Sequence, residues 1–166
     1  MALLGGTIGN FEPADRRVFL DALADALEPG EAFLVGTDLV KDEETLVRAY
    51  DDAAGVTAAF ELNALTVLNR VLGADFDVDA FEYVATWVPQ NSRIEMRVRA
   101  RRPMTVTVPA LDLVVDFAEG EEMRTEISTK FTRQSITAEL DAAGFALRHW
   151  CTDPAGRFAL TLAQRV

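Results

Sequence analysis

The spacing of apolar residues along the first forty positions predicts a strand, a helix and a second strand. Residues 2–8 and residues 32–36 are short apolar runs that read as buried strands. Between them apolar side chains recur at helical spacing from Val18 to Leu27. Pro13 suits the first turn of that helix, and Pro29 with Gly30 ends it. This order is typical of the βαβ unit of a parallel sheet.

The middle of the chain has a different pattern. Residues 42–73 follow a helical period with a break at Gly55, and residues 93–101 alternate between charged and apolar side chains. That alternation predicts a strand with one apolar and one charged face. Residues 106–108, 111–117 and 121–128 are expected to be extended as well, so this block reads as helices followed by an antiparallel meander.

The end of the chain returns to a simple order. Residues 135–143 predict a short helix. Residues 146–152 and 157–163 predict two strands, and the Asp153–Gly156 segment between them predicts a turn. We expect this hairpin to rejoin the opening sheet, which makes the middle block an insertion. A doubly wound sheet needs more parallel strands than these, so one apolar edge is expected to stay open. Such an edge predicts self-association or a partner chain.

Composition narrows the class of protein. The chain has 166 residues, with 49% apolar and 26% charged, which is ordinary for a globular domain. Its formal net charge of −11 argues against a nucleic-acid backbone or an anionic membrane surface as partner, and it is compatible with a cationic or zwitterionic small ligand. Neither a membrane span nor a basic leader is visible in the sequence, so the expected location is the cytoplasm.

The supply of metal-binding and nucleophilic side chains is small. Cys151 is the one cysteine and His149 the one histidine, so a zinc cluster of cysteines or histidines is excluded and no metal is expected. The two lie on the same predicted strand and could in principle form a Cys–His nucleophile pair. Nothing beside them resembles the orienting acid or the oxyanion site that such a pair needs. We expect a surface histidine and a buried free thiol.

The glycine-rich segment after the first strand is the first candidate site. Gly5, Gly6 and Thr7 stand between a strand and a helix, where phosphate loops occur, but the spacing matches neither GxGxxG nor a P-loop. The alternative is a tight turn whose backbone passes close to a ligand or to another strand. Asn10 follows at the carboxyl end of the strand, where open α/β sheets bind ligands. Its amide suits an amine and a carboxylate, although an asparagine turn or helix cap is equally consistent.

Four further side chains carry binding chemistry. Tyr50 lies in a helical segment beside two aspartates, and its hydroxyl suits a carboxylate, although a half-buried helix tyrosine is the plainer interpretation. Glu126 and Ser128 share one face of an extended segment and suit an N–H heterocycle, although a solvated strand face has the same pattern. Met96 lies on an apolar strand face, as a core residue or as the wall of a pocket.

Taken together, six segments of the chain resemble one family. They occur in order and at close to the family's spacing: residues 4–11, 36–41, 49–52, 68–70, 93–96 and 124–131. This combination resembles the histidine Nα-methyltransferases of ergothioneine biosynthesis, which use S-adenosylmethionine to trimethylate histidine to hercynine. The resemblance covers the whole chain and implies an enzyme.

The resemblance implies a fold and a set of roles. The expected fold is α/β: part of a Rossmann-like methyltransferase sheet, formed by residues 1–40 and 131–166, with an inserted α+β substrate-binding domain at residues 41–130. Asn10 and Tyr50 would hold the amino-acid end of histidine, Glu126 and Ser128 would read its imidazole, and Met96 would line the imidazole pocket. Of the cofactor site, only the backbone around Gly5, Gly6 and Thr7 is expected. No side chain is assigned a catalytic proton transfer.

The chain also departs from the family pattern. The family's glycine-rich cofactor loop, its ribose-binding acid and its adenine-binding residues precede the segment that matches Gly5–Gly6, so we expect the carboxyl-terminal half of such an enzyme. The expected partners are L-histidine and its methylated forms, with a separate amino-terminal half or a second copy completing the sheet. The alternatives are a truncated or split half that only binds an amino acid, and a methyltransferase of another amino acid.

Overall fold

The structure is a computed structural model that describes the backbone of residues 2–166 and the side chains of residues 5–166. It contains two compact units. The first runs up to Asp42 and takes in Pro89–Arg93 and Ile127–Val166, and the second consists of Glu43–Val88 and Ile94–Glu126.

The helices and strands follow one another along the chain with short turns between them. In order they are β1 (Ala2–Leu4), α1 (Pro13–Ala26), β2 (Ala32–Asp38), α2 (Glu43–Tyr50), α3 (Val56–Leu72), β3 (Phe81–Val88), β4 (Arg93–Ala100), β5 (Met104–Val108), β6 (Leu113–Phe117), β7 (Glu122–Thr129), α4 (Arg133–Ala142), β8 (Phe145–Thr152) and β9 (Phe158–Arg165). A 3₁₀ turn, Gly6–Asn10, lies between β1 and α1.

The first unit is built on a four-stranded sheet in the order β1-β2-β9-β8. β1 and β2 are parallel, whereas β9 runs antiparallel to both β2 and β8. The predicted βαβ opening and the return of the terminal hairpin to that sheet are therefore confirmed. Because side chains alternate along β2, Phe33 and Val35 point to the same face, where they form a core with Leu20 of α1 and Leu140 of α4.

The second unit holds a three-stranded sheet in the order β3-β4-β7 and a separate hairpin of β5 and β6. Leu65 of α3 packs into its core with Phe81, Val98 and Phe117. The break predicted at Gly55 is present: its φ of 68° is left-handed, a conformation that glycine adopts without strain, and α3 begins at the next residue.

Three details differ from the sequence-based expectations. The first strand ends at Leu4 rather than at residue 8, because the chain leaves the extended conformation at Gly6 and forms a 3₁₀ turn there. β3 was not predicted, although its aromatic and β-branched residues are typical of a strand. Cys151 is exposed rather than buried, since it lies on the outer strand β8.

The expected α/β class is confirmed by the parallel opening strands, the mixed four-stranded sheet and the helices between the strands. Within the described residues, every helix is too short or too polar to cross a membrane.

Candidate functional site: an acidic pocket in the second unit

A cavity of about 410 Å³ in the second unit brings together three of the residues predicted from the sequence, Tyr50, Met96 and Glu126. The remaining lining residues come from the end of α2 and from the first turns of α3: Ala49, Val56, Thr57, Phe60 and Glu61. The walls are mainly apolar and the polar groups few, as in sites that orient a small molecule. Asn10 and Ser128 belong to the first unit.

Tyr50 is the last residue of α2 and is held there by a second tyrosine. The hydroxyl of Tyr83 on β3 donates a hydrogen bond to the carbonyl oxygen of Tyr50 at 3.0 Å. Burial, followed by the negative charges of Glu61 and Asp51, raises the pKa of Tyr83. Tyr83 therefore remains a protonated donor at neutral pH, and it fixes the backbone from which the Tyr50 side chain projects.

The link between α2 and α3 is fixed by an aspartate. The Asp52 carboxylate accepts the backbone N–H groups of Val56 at 2.9 Å and Thr57 at 2.8 Å, which are otherwise unsatisfied donors of the first turn of α3. These two bonds lower the pKa of Asp52 to about 2. Since Val56 and Thr57 line the cavity, Asp52 positions one of its walls.

Met96 is a core residue as well as a wall of the pocket. Its side chain is buried against Leu46 and Ile94, and it also lines the cavity. Its carbonyl oxygen accepts a hydrogen bond from the hydroxyl of Thr125 on β7 at 3.1 Å. This bond ties β4 to β7 beside Glu126, so the floor of the pocket and its predicted acid belong to one sheet.

Sequence reasoning missed a second acid in this pocket. Glu61 is 3% exposed, it lines the cavity with Glu126, and its Oε1 has no hydrogen-bond partner among the described residues. An adjoining cavity of about 640 Å³ shares Phe60, Glu61 and Glu126 with the first. Glu61 precedes the buried Leu65 by one helical turn, and that spacing was the signal that could have placed it on the inner face. Two carboxylates favour a ligand that offers N–H groups or positive charge.

Two arginines of the charged face predicted for residues 93–101 form ion pairs with glutamates of the same sheet. Arg97 and Arg99 each contact the Glu122 carboxylate of β7 at 2.6 Å, and Arg97 also pairs with the buried Glu95. The hydrogen bonds from the two arginines outweigh the effect of burial and lower the pKa of Glu122. These charges join β4 to β7, which is a structural role.

The glycine-rich segment forms the exposed 3₁₀ turn of the first unit. Within that turn, however, Ile8 and Gly9 are buried, and a Cβ at Gly9 would lie 2.9 Å from the carbonyl oxygen of Thr129. Close approach to another strand, one of the two expectations for this segment, is thus found at Gly9. Asn10 is exposed at the end of the turn, and the N-cap of α1 is Glu12, so the helix-cap interpretation of Asn10 is wrong.

Gly5, Gly6 and Thr7 fit one edge of a site for S-adenosylmethionine. All three are exposed just beyond the carboxyl end of β1. A Cβ at Gly5 would meet nothing within 4 Å in the described part of the chain, and one at Gly6 would meet only the Phe158 ring at 3.9 Å. Bare backbone at the carboxyl end of a parallel strand is where open α/β sheets admit a ligand.

Ser128 lies near the end of β7, in the part of that strand that belongs to the first unit. Its hydroxyl oxygen accepts a hydrogen bond from the buried ammonium of Lys130 at 2.8 Å. Ser128 and Glu126 are two positions apart on one strand, so their side chains leave the same side of β7, as predicted.

Comparisons with known proteins give the family. A family model of S-adenosylmethionine-dependent, histidine-specific methyltransferases matches residues 1–165. The histidine N-alpha-methyltransferase of Mycolicibacterium smegmatis is 61% identical over 165 residues, covering 99% of this chain and 51% of that protein. The protein of the same name from Mycobacterium tuberculosis is 57% identical over 162 residues, covering 98% of this chain and 50% of that protein.

Among solved structures, a protein of Pyrococcus horikoshii OT3 matches with a TM-score of 0.51 at 11% identity, over 99% of this chain and 53% of that chain, a likeness of fold alone. The family match gives the class: the chain falls among the S-adenosylmethionine-dependent methyltransferase families. Within that class, the chain belongs to the histidine-specific methyltransferase family. It spans about half the length of the curated relatives that it matches.

Proposed function

We propose that this chain serves the Nα-methylation of L-histidine to hercynine, the methyl-transfer step of ergothioneine biosynthesis. The observation that carries the proposal is the acidic pocket of the second unit, where Tyr50, Met96 and Glu126 meet in a member of the histidine-specific family. A pocket with apolar walls and two carboxylates suits an imidazole ring, which offers a flat apolar face and an N–H donor.

Each predicted residue has a role in this proposal. Glu126 accepts an imidazole N–H, Met96 packs against the ring, and the Tyr50 hydroxyl donates to the substrate carboxylate. Asn10 binds the amino-acid end and orients the amine, and Ser128 contributes to imidazole binding. Because a nucleophilic amine needs only to be neutral and correctly placed for an in-line displacement, the contribution of these side chains is orientation.

S-adenosylmethionine supplies the methyl group when it is bound. On the chain, the exposed backbone of Gly5, Gly6 and Thr7 would hold one edge of it. The same pocket has to accept histidine and its mono- and dimethylated forms, since the proposed product carries three methyl groups.

The proposal also assigns each part of the chain to a domain. Residues 1–40 and 131–166 would form part of the methyltransferase sheet and residues 41–130 the substrate-binding insertion. An amino-terminal half, supplied as a separate chain or replaced by a second copy, would bind along the four-stranded sheet, in which β1 and β8 are the outer strands. The expected location is the cytoplasm.

A second candidate function is binding without catalysis. It is favoured by the pocket itself, whose Tyr50, Met96 and Glu126 could hold an amino acid without a bound cofactor. In that case the pocket would bind histidine or another amino acid, and methyl transfer would need a further chain.

The test is a calorimetric titration of the chain with histidine, before and after Glu126→Gln. Losing a charge-assisted hydrogen bond is expected to weaken binding about ten- to a hundredfold. Glu119→Gln is the matched control, because Glu119 is an exposed acid of the same unit outside the pocket and should leave the affinity unchanged. Equal affinities for the wild-type chain and Glu126→Gln would refute the assigned role.

Mass spectrometry then separates the two functions. The chain is incubated with S-adenosylmethionine and with histidine or tryptophan, alone and after addition of an amino-terminal half from a histidine methyltransferase. Methylated histidine supports the proposal, and its appearance only in the mixture supports a split catalyst. Histidine binding without product in either mixture supports the binding module, and preference for tryptophan indicates a methyltransferase of another amino acid.

A further inference from the structure

An unsatisfied carboxyl group is buried on the inner face of α3. Glu61 is 3% exposed, and its Oε1 makes no hydrogen bond to any residue that the structure describes. Burying an acceptor without a partner destabilises the folded chain, and the loss is larger for a charged group than for a neutral one. Packing alone therefore does not account for an acid at this position.

Three hydrogen-bond donors near Glu61 are committed to other acceptors. Thr57, one helical turn earlier, gives its backbone N–H to Asp52 at 2.8 Å, and its hydroxyl bonds the same carboxylate. The hydroxyl of Tyr83 donates to a backbone carbonyl oxygen of α2 at 3.0 Å. The hydroxyl of Thr125 donates to a backbone carbonyl oxygen of β4 at 3.1 Å. Each of these bonds holds two elements of the second unit together, so none of the three donors is left for Glu61.

Glu61 lines the cavity of about 640 Å³, here called the larger cavity, whose walls come from the middle of α3 and from β7. Small-molecule sites typically have about 300–1,000 Å³. The apolar walls are formed by Phe60, Ala64, Leu65, Val67, Leu68 and Met123. The smaller cavity, of about 410 Å³, shares Phe60, Glu61 and Glu126 with it. Among the described residues, however, Tyr50 and Met96 line the smaller cavity alone, so the two are distinct chambers on either side of Glu61.

We propose that the larger cavity is a second ligand site, which takes an organic ammonium ion with an apolar body, and that Glu61 binds its charge. The ammonium supplies the donors that Glu61 lacks in the folded chain, through charge-assisted hydrogen bonds. The apolar body packs against the walls contributed by α3 and Met123, and its removal from water adds to the affinity. The net charge of −11 favours a cation over an anion. This site does not depend on histidine binding in the smaller cavity.

The missing partner of Glu61 is tested first without any ligand. Glu61→Leu should raise the urea midpoint of the unliganded chain, because an apolar side chain of similar size replaces an unsatisfied buried acceptor. Glu119→Leu is the control, since Glu119 is an exposed acid of the same unit, and it should leave the midpoint close to that of the wild-type chain. An unchanged or lower midpoint for Glu61→Leu would show that the fold already satisfies Glu61, and the proposal would be overturned.

Binding is then tested by calorimetry with naphthylethylamine and two probes of similar shape, neutral naphthylethanol and anionic naphthylpropionate. The amine should bind the wild-type chain most tightly and the propionate most weakly. Glu61→Gln keeps the size of the side chain but removes its charge, so it should weaken amine binding about ten- to a hundredfold and leave the alcohol unchanged. Glu119→Gln is the matched control and should leave all three affinities unchanged. Equal affinities for the three probes, or equal losses for amine and alcohol in Glu61→Gln, would overturn the proposal.

A steric variant shows which cavity holds the amine. Ala64 is an exposed residue of α3 that lines the larger cavity, so the ring of Ala64→Trp should fill that cavity, abolish amine binding and leave histidine binding in place. Amine binding that survives in Ala64→Trp would place the amine elsewhere and overturn the proposal. If that variant does not fold, Asn63→Trp, at an exposed neighbour lining the same cavity, takes its place. A wild-type chain that binds no histidine refutes the proposed function, while the amine titrations still decide whether this second site exists.

Discussion

Replacing Arg16 with methionine should destabilise the first unit strongly, although Arg16 lies on a helix that faces solvent on its other side. Its side chain is 4% exposed and makes a two-point ion pair with Glu139 of α4, at 2.6 Å and 3.0 Å. It also donates to the Phe11 carbonyl oxygen at 3.1 Å and to the Thr129 hydroxyl at 3.3 Å. Arg16 thus connects α1 and α4 with the turn before α1 and with the end of β7.

The magnitude follows from what the substitution leaves behind. Removing one partner of a buried pair typically costs about 3–5 kcal/mol. The Glu139 side chain keeps 31% of its exposure, so water can replace part of the lost contact. Methionine also keeps much of the packing that the arginine stem provides. We therefore expect a loss of about 2–4 kcal/mol in the free energy of unfolding.

Arg17→Met is the matched control, since Arg17 is the next residue of the same helix. Its ion pair with Asp21, at 2.8 Å, joins two side chains that are each about half exposed, and such pairs contribute about 0–1 kcal/mol. Urea unfolding is followed by fluorescence of Trp150, which packs against the core of the first unit, in a Trp87→Phe background. If Arg16→Met costs no more than Arg17→Met, burial does not set the strength of this ion pair and the reasoning is wrong.

Two further predictions follow from the local geometry. Gly9→Ala should lower the free energy of unfolding in urea by about 1–3 kcal/mol, because its Cβ would lie 2.9 Å from the Thr129 carbonyl oxygen. Gly5→Ala is the control and should be close to neutral, because a Cβ at Gly5 has open space around it. Equal losses for the two variants would contradict this reasoning. Asp52→Asn should lower stability at neutral pH, because the native pKa of Asp52 is about 2 against an ordinary 3.8. That contribution is fully present above about pH 4 and is lost as the pH falls toward 2. The urea midpoints of the two proteins should therefore converge at acid pH, and a constant gap from pH 5 to pH 2 would refute the assignment.

Much of the fold was predictable because its signals are local. Helix α1 was predicted from the helical spacing of its apolar residues, from Pro13 at its start and from Pro29 and Gly30 after its end. Its observed range is Pro13–Ala26. The alternation at residues 93–101 predicted β4, observed as Arg93–Ala100. β3 was missed because all of its residues after Phe81 are half-buried, so no clear alternation marks it.

The candidate site was only partly predictable. Resemblance to a family selected Tyr50, Met96 and Glu126, and the structure places them around one cavity. Their assigned roles remain predictions, as do those of Asn10 and Ser128. Glu61 was overlooked because a single acid in an apolar helix reads as a surface residue until the packing shows which way it faces.

The sequence by itself determined the order of helices and strands apart from β3, the acidic balance and the family, since these depend on residue types and on spacings along the chain. Only the tertiary structure decided which distant groups meet. Lys130 reaches Asp38 across 92 positions of the chain, and Arg16 reaches Glu139 across 123. No local pattern encodes such contacts, because they arise when separate elements pack together and buried charges must find partners.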